Sequence, residues 1–205
     1  MIFIIFRGIC HSQDTVLFLN GRTLVLSAYK FDTERQLLLY KNRKGRMKWV
    51  EKDFIFSIRD SCGIEKIYYH PDTIERSFLS VSQMRSFAYG QRDAYSRFKA
   101  PGAAVSGFTV GAASPFALYV WYSFIPSLAV SAVYEIVPVR MKRIEKKCPD
   151  KIDDIFYLQG FRETANRKRV LNAVIGTGAG FVTGVAAALI IGTVRNMQSA
   201  DNPDI

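Results

Sequence analysis

Apolar and polar positions alternate in short blocks from Thr15 to His70, and two long apolar runs fill much of the rest of the chain. Residues 15–19 are apolar and β-rich, Asn20-Gly21 is a strong hairpin signal, and 22–29 resume the strand. Residues 36–40 and 47–50 flank a basic turn at 41–46 that contains Gly45. Residues 54–58 and 64–70 flank a second turn at 61–63, and Pro71-Asp72 ends the series. Five or six short strands with tight turns predict a small SH3-like β-barrel or bent antiparallel sheet over 14–72.

Residues 73–99 read as a linker and an amphipathic helix passing through Gly90 and Ala94. On that helix Asp93 and Arg97, four apart, share a face. Residues 100–139 then hold a single charge, Glu135. As one helix they would reach ~60 Å, too long for one crossing of a ~30 Å hydrocarbon core. Ser114-Pro115 and Pro126 are expected to kink or end helices, and Tyr119, Trp121 and Tyr122 suit the headgroup boundary. The favoured arrangement is one crossing at 103–124 with 125–139 interfacial or re-entrant; two short crossings are the alternative.

Residues 170–194 carry no charge and give ~37 Å of helix, enough to span with some tilt. Gly176, Gly180 and Gly184 recur every fourth residue, Ala188 and Gly192 continue the row, and Gly107 and Gly111 repeat the spacing in the first run. Such stripes let transmembrane helices approach closely. The same pattern could belong to a buried helix of a soluble domain. The expected class is α+β, a β module followed by a glycine-rich transmembrane helical hairpin.

Charge refines this picture. The chain carries net +10, which suits nucleic acid or anionic lipid alike. The basic residues gather beside the apolar runs, above all in the loop and helix start at 140–169, with Arg140, Lys142, Arg143, Lys146, Lys147, Lys151, Arg162, Arg167, Lys168 and Arg169. The polar tail, 195–205, has one basic residue and two acids. The positive-inside rule therefore puts 140–169 in the cytoplasm, and single crossings on either side of it put the β module outside. Residues 1–13 resemble a short signal peptide without a basic start, as if a leader were truncated, which agrees with export. A lipoprotein at Cys10 is disfavoured by the bulky Ile9, and a first strand that begins early is the plain alternative. The address is a bacterial inner membrane with the β module in the periplasm, or else an outer membrane, where the charge rule would not hold. One feature runs against this topology: Gly90, Arg92, Asp93 and Arg97 are echoed by Gly160, Arg162, Glu163 and Arg167, and a true repeat needs an even number of crossings between its copies.

Candidate chemistry is sparse. Cys10, Cys62 and Cys148 stand far apart, only His11 and His70 are present, and no nucleophile with a positioned base is visible. No catalytic residue, metal site or cofactor is assigned. The basic turn Lys41, Arg43, Lys44, Arg46 and Lys48, with Trp49 nearby, reads as a solvated hairpin tip, so nucleic acid is disfavoured. The candidate packing residues are Gly107, Gly111, Gly176, Gly180 and Gly184; the candidate functional polar residues are Asp93, Arg97, Glu135, Glu163 and Arg167.

The leading function is a non-enzymatic membrane-anchored envelope protein. Its β module is held at the bilayer for partner binding or assembly, with membrane lipid and a protein partner or second copy engaged through the glycine-lined helices. The alternative is an oligomeric transport or channel component using the intramembrane Glu135. A membrane enzyme acting on lipid or peptidoglycan is a third class, for which Asp53, Asp93 and Glu163 are too scattered in sequence to nominate.

Asp14-Thr15-Val16, Asn20-Gly21, Leu39-Tyr40-Lys41 and Asp53 to Ile58, followed by Gly90-Gln91 with Asp93-Ala94, Phe98-Lys99, Ser114-Pro115, Tyr157, Gly160-Phe161, Ala165 and Lys168-Arg169, resemble uncharacterised exported proteins common in Bacteroidota. These combine a small β domain with membrane helices. Ser61-Cys62-Gly63 departs from them, standing where an acidic residue and Asn tend to precede Gly. The resemblance implies location and architecture and no activity.

Overall fold

Polar turns set the strand pairing. Between β1 (Asp14–Phe18) and β2 (Thr23–Leu26), Gly21 N donates to Phe18 O at 3.0 Å and Asn20 Oδ1 accepts Arg22 N at 3.0 Å. Ser27-Ala28 break the expected 22–29 strand, and β3 (Tyr29–Asp32) starts beyond them. Gln36, expected to open the next strand, sits at φ 53° in the turn before β4 (Leu37–Lys41). Asn42 Oδ1 takes the amides of Lys44 and Arg46 at the tip that leads to β5 (Met47–Glu51). Asp60 Oδ1 accepts Ile64 N at 2.8 Å between β6 (Ile55–Arg59) and β7 (Glu65–Ile67).

The computed structural model describes residues 13–42, 44–71, 78–117, 122 and 124–201. Residues 1–12 of the expected leader, Arg43, Tyr119, Trp121 and 202–205 of the tail lie outside them. The chain divides into two units, Met1–Ser96 with Asp150–Phe161, and Arg97–Pro149 with Arg162–Ile205.

In the first unit, the described strands form two antiparallel sheets, ordered β2-β1-β6-β7 and β3-β4-β5, in place of a closed barrel. The reason is local. A 3-10 turn at Lys52–Phe54 follows β5, so β6 pairs with β1 and founds the other sheet. Between the sheets lie Val16, Leu26, Leu38, Ile55 and Ile58. Leu17 pairs with Ser57 and Phe18 with Ile55, which leaves Phe56 as the extra residue of a bulge. The bulge turns Phe56 to the opposite face, where it joins Leu17, Tyr69, Met84 and Ala88 under α1 (Val81–Arg97). Thus β6 is buried on both faces and reads IFSI without alternation.

A reciprocal box starts α1: Gln83 Oε1 accepts Ser80 N at 2.8 Å and Ser80 Oγ accepts Gln83 N at 3.3 Å. Asp154 starts α5 (Ile155–Asp201), its Oδ1 accepting the amides of Phe156 and Tyr157 at 3.0 and 3.1 Å. The expected span 170–194 therefore lies inside a 47-residue helix that begins in the basic stretch and runs on into the expected tail.

In the second unit, α2 (Pro101–Ala117) opens on a proline that suits a first helical position, and Pro115 lies inside it. Pro126 falls in the first turn of α3 (Phe124–Ile136), where it begins a helix and does not end one. A short α4 (Met141–Glu145) follows. The break before α2 frees carbonyls that side chains then satisfy. Lys168 Nζ donates to Phe98 O at 2.7 Å, Asn172 Nδ2 to Ala100 O at 3.3 Å, and Lys147 Nζ to Arg97 O. Ser106 Oγ and Tyr134 Oη, 2.7 Å apart, join the start of α2 to the end of α3, so these two helices run antiparallel.

Leu38 is fully buried and Val25 is 53% exposed. Leu38→Ala should cost about 2–5 kcal/mol of unfolding free energy and Val25→Ala within about 0.5 kcal/mol. Urea titration of the full chain in detergent micelles, followed by tryptophan emission, checks the contrast.

Candidate functional site

Asp93 is the most deeply placed of the polar residues singled out from the sequence, 5% exposed on the inner face of α1. Tyr157 Oη donates to its Oδ2 at 2.8 Å, Arg92 Nε and an Arg92 terminal nitrogen to Oδ1 at 3.2 Å each, and Lys151 Nζ lies 3.6 Å from Oδ2. The two cations are themselves covered by rings. Arg92 sits 4.6 Å from the centroid of Tyr89, and Lys151 sits 4.8 Å from that of Tyr157. Burial works to raise the Asp93 pKa, but the Tyr157 hydroxyl, Arg92 and Lys151 outweigh it and hold the carboxyl below its ordinary value. Asp154 behaves alike: burial raises it, while the Ser86 hydroxyl, the Tyr157 and Phe156 amides and Lys151 bring it lower.

Beside this cluster, a cavity of about 120 Å³ is lined by Thr15, Thr23, Ser57, Arg59, Glu65 and Arg92 among others. The Ser57 hydroxyl donates to Glu65 Oε1 at 2.6 Å, and Glu65 Oε2 takes Arg85 at 3.2 Å and Arg59 at 3.7 Å. The arrangement binds β6, β7 and α1 to one another. Among the described residues no group of three His, Cys, Asp or Glu stands together to hold a metal ion.

Glycine contacts are made by backbone on backbone. In the first unit, a Cβ at Gly90 would strike Tyr157 O and come within 3.0 Å of Phe161 N, and one at Gly160 would strike Phe87 O. In the second unit, Gly107 faces Ala173 O, Gly111 faces Thr177 O, Gly176 faces Ala104 O, Gly180 faces Phe108 O, and Gly184 lies over Ala112 O. Partners ascend together along both chains, so α2 and α5 run parallel. The expected antiparallel hairpin of the two runs is thereby corrected: the antiparallel partner of α2 is α3. Among the described residues, the glycine contacts of this row run as far as Gly184, and Gly192 meets none of them within 4 Å.

The remaining candidates do not converge. Arg97 donates to Lys147 O at 3.1 Å and to Cys148 Sγ at 3.6 Å, while Asp93 takes Arg92, Lys151 and Tyr157, so the four-apart spacing yields no ion pair. Glu135 stands exposed near the end of α3, and Glu163 and Arg167 are exposed on α5. Trp49, which alternation could have buried, is 61% exposed beside Lys48. Sequence reasoning missed Tyr157, Lys151, Arg92 and Glu65 as partners. The echo of Gly90 by Gly160 was the one signal pointing to this region.

No protein family, curated protein or solved structure matches the chain.

The folded Asp93 value lies below the ordinary 3.8. Its ionised cluster thus contributes fully above that pH and loses the contribution as pH falls through the folded value. Asp93→Asn should flatten this part of the acid limb in a pH series of unfolding free energies, and Tyr157→Phe should cost about 1.5–3 kcal/mol at neutral pH. An acid limb unchanged in Asp93→Asn would remove Asp93 from it.

Proposed function

We propose that the chain is a non-enzymatic, membrane-anchored protein of the cell envelope. Its anchor is α5, which spans the bilayer, and it holds its β module at the membrane surface to bind a partner or organise an assembly. The observation that carries this reading is the apolar surface of α5. That helix is long and apolar enough to cross a membrane, and 22% of its most apolar window is buried within the protein. Val182, Leu189 and Ile190 are each about two-thirds exposed, at 68%, 67% and 65%. Water would oppose a continuous surface of this kind, whereas lipid is its natural solvent. The glycine contacts with α2 supply the close packing that helices need where no hydrophobic drive joins them. Gly178, with no described residue within 4 Å of a Cβ placed there, leaves small-residue surface for a second copy or a partner.

The first unit contains both Met1–Ser96 and Asp150–Phe161. A chain that leaves that unit and returns to it must cross the membrane an even number of times in between. This supports α2 and α3 as an in-and-out pair, with about 25 Å of helix in α2, and it disfavours the single crossing expected from the sequence. The β module then shares its side with the basic stretch 140–169, and the positive-inside rule makes that side cytoplasmic. This reading replaces the expected periplasmic address and leaves the carboxy-terminal end on the far side.

Cys62 is exposed in the first unit and Cys148 is buried, which allows a direct test. In a Cys10→Ser background, a membrane-impermeant maleimide applied to intact spheroplasts should spare Cys62 and react only after lysis. A Ser199→Cys variant should react from outside. Labelling of Cys62 in intact cells would restore the periplasmic address, and a chain that stayed monodisperse without detergent would sink the anchoring role.

A further inference from the structure

We propose that the cavity between the stretch joining α3 to α4 and the first third of α5 binds the phosphodiester headgroup of an anionic phospholipid. The cavity, about 330 Å³, is lined by Val137, Pro138, Val139, Arg140, Arg143 and Arg169. Three guanidiniums and no carboxylate line it, and a guanidinium fork matches phosphate oxygens two at a time. Arg169 is held ready for such a ligand. It donates to Val137 O at 2.9 Å and lies 4.9 Å from the centroid of the Tyr134 ring. The loop that carries the other two is pinned as well, because Val139 N donates to Asn166 Oδ1 at 3.0 Å and Arg143 N to Arg140 O at 3.0 Å.

Position in the chain favours a lipid over free phosphate. Arg169 immediately precedes the uncharged run 170–194, and Ile136 ends the apolar α3, with Val137 directly after it. Ile136 is 79% exposed and Met141 43%. Guanidiniums bordered by exposed aliphatic side chains suit a molecule with a phosphate at one end and acyl chains at the other. Basic pockets between membrane helices on the cytoplasmic side take such headgroups. The inference rests on the membrane reading above, and its test separates the two.

The full chain, purified in detergent, would be titrated with phosphatidylglycerol, phosphatidylcholine or inorganic phosphate and read by native mass spectrometry for bound adducts. Phosphatidylglycerol should be retained at least about tenfold more tightly than phosphatidylcholine, and Arg140→Gln with Arg143→Gln should erase that preference. Lys142→Gln with Lys146→Gln removes equal charge from the same stretch outside the cavity and should preserve it. Equal retention of phosphatidylglycerol by the wild type and the arginine variant would overturn the site. So would saturation by phosphate alone with no preference between the lipids. Extraction from membranes by alkaline carbonate tests the anchor separately. A chain that resists carbonate yet ignores headgroup charge loses only this site, and one that is extracted loses the membrane reading itself.

Discussion

Two backbones brought within van der Waals reach of each other are the constraint on which the helical parts of this protein depend. At Gly90 and Gly160 in the first unit, and at Gly107, Gly111, Gly176, Gly180 and Gly184 in the second, the atom that a side chain would strike is a carbonyl oxygen. Approach this close replaces side-chain interdigitation with dispersion and weak Cα–H···O contacts along the helix faces. Glycine weakens a helix by about 1 kcal/mol relative to alanine in water. In lipid, where an unpaired backbone is costlier still, that penalty does not unwind the helix.

Around the glycines, several polar groups are satisfied in place. Asp93 is enclosed by a hydroxyl and two ring-covered cations, Glu65 by a hydroxyl and two guanidiniums, and the carbonyls freed before α2 by Lys147, Lys168 and Asn172. Lys168 shows this role, its Nζ donating to Phe98 O at 2.7 Å across the helix break.

The sequence reveals local features better than closures. Asn20-Gly21 and Ser61-Cys62-Gly63 announced hairpins because a turn's backbone geometry is set by the few residues in it. Barrel closure was not legible, since a three-residue 3-10 turn at Lys52–Phe54 and one bulged residue, Phe56, decided which strands meet. The start of α5 could have been read from Asp154 ahead of the periodic run, whereas the charged stretch 140–169 read as a basic loop with the start of a helix, its boundary unplaced. The Asp93 cluster was half visible. Its acid and the Gly90–Gly160 echo can be seen along the chain, whereas Tyr157 and Lys151 reach Asp93 only through tertiary packing. The parallel course of α2 and α5 had no sequence signal beyond that same echo.

One property of the glycine contacts bears on how such a chain can vary. When two side chains clash, a smaller residue on the opposing helix can relieve the crowding, and the pair can drift together through sequence space. Here the opposing group at Gly176 or Gly180 is a peptide carbonyl, common to every amino acid. No exchange on the neighbouring helix can make it smaller, so relief must come from moving a whole helix or from reverting to glycine. Pairwise covariation should therefore be silent at these sites even though the helices approach closely there, and their constancy would register only one column at a time.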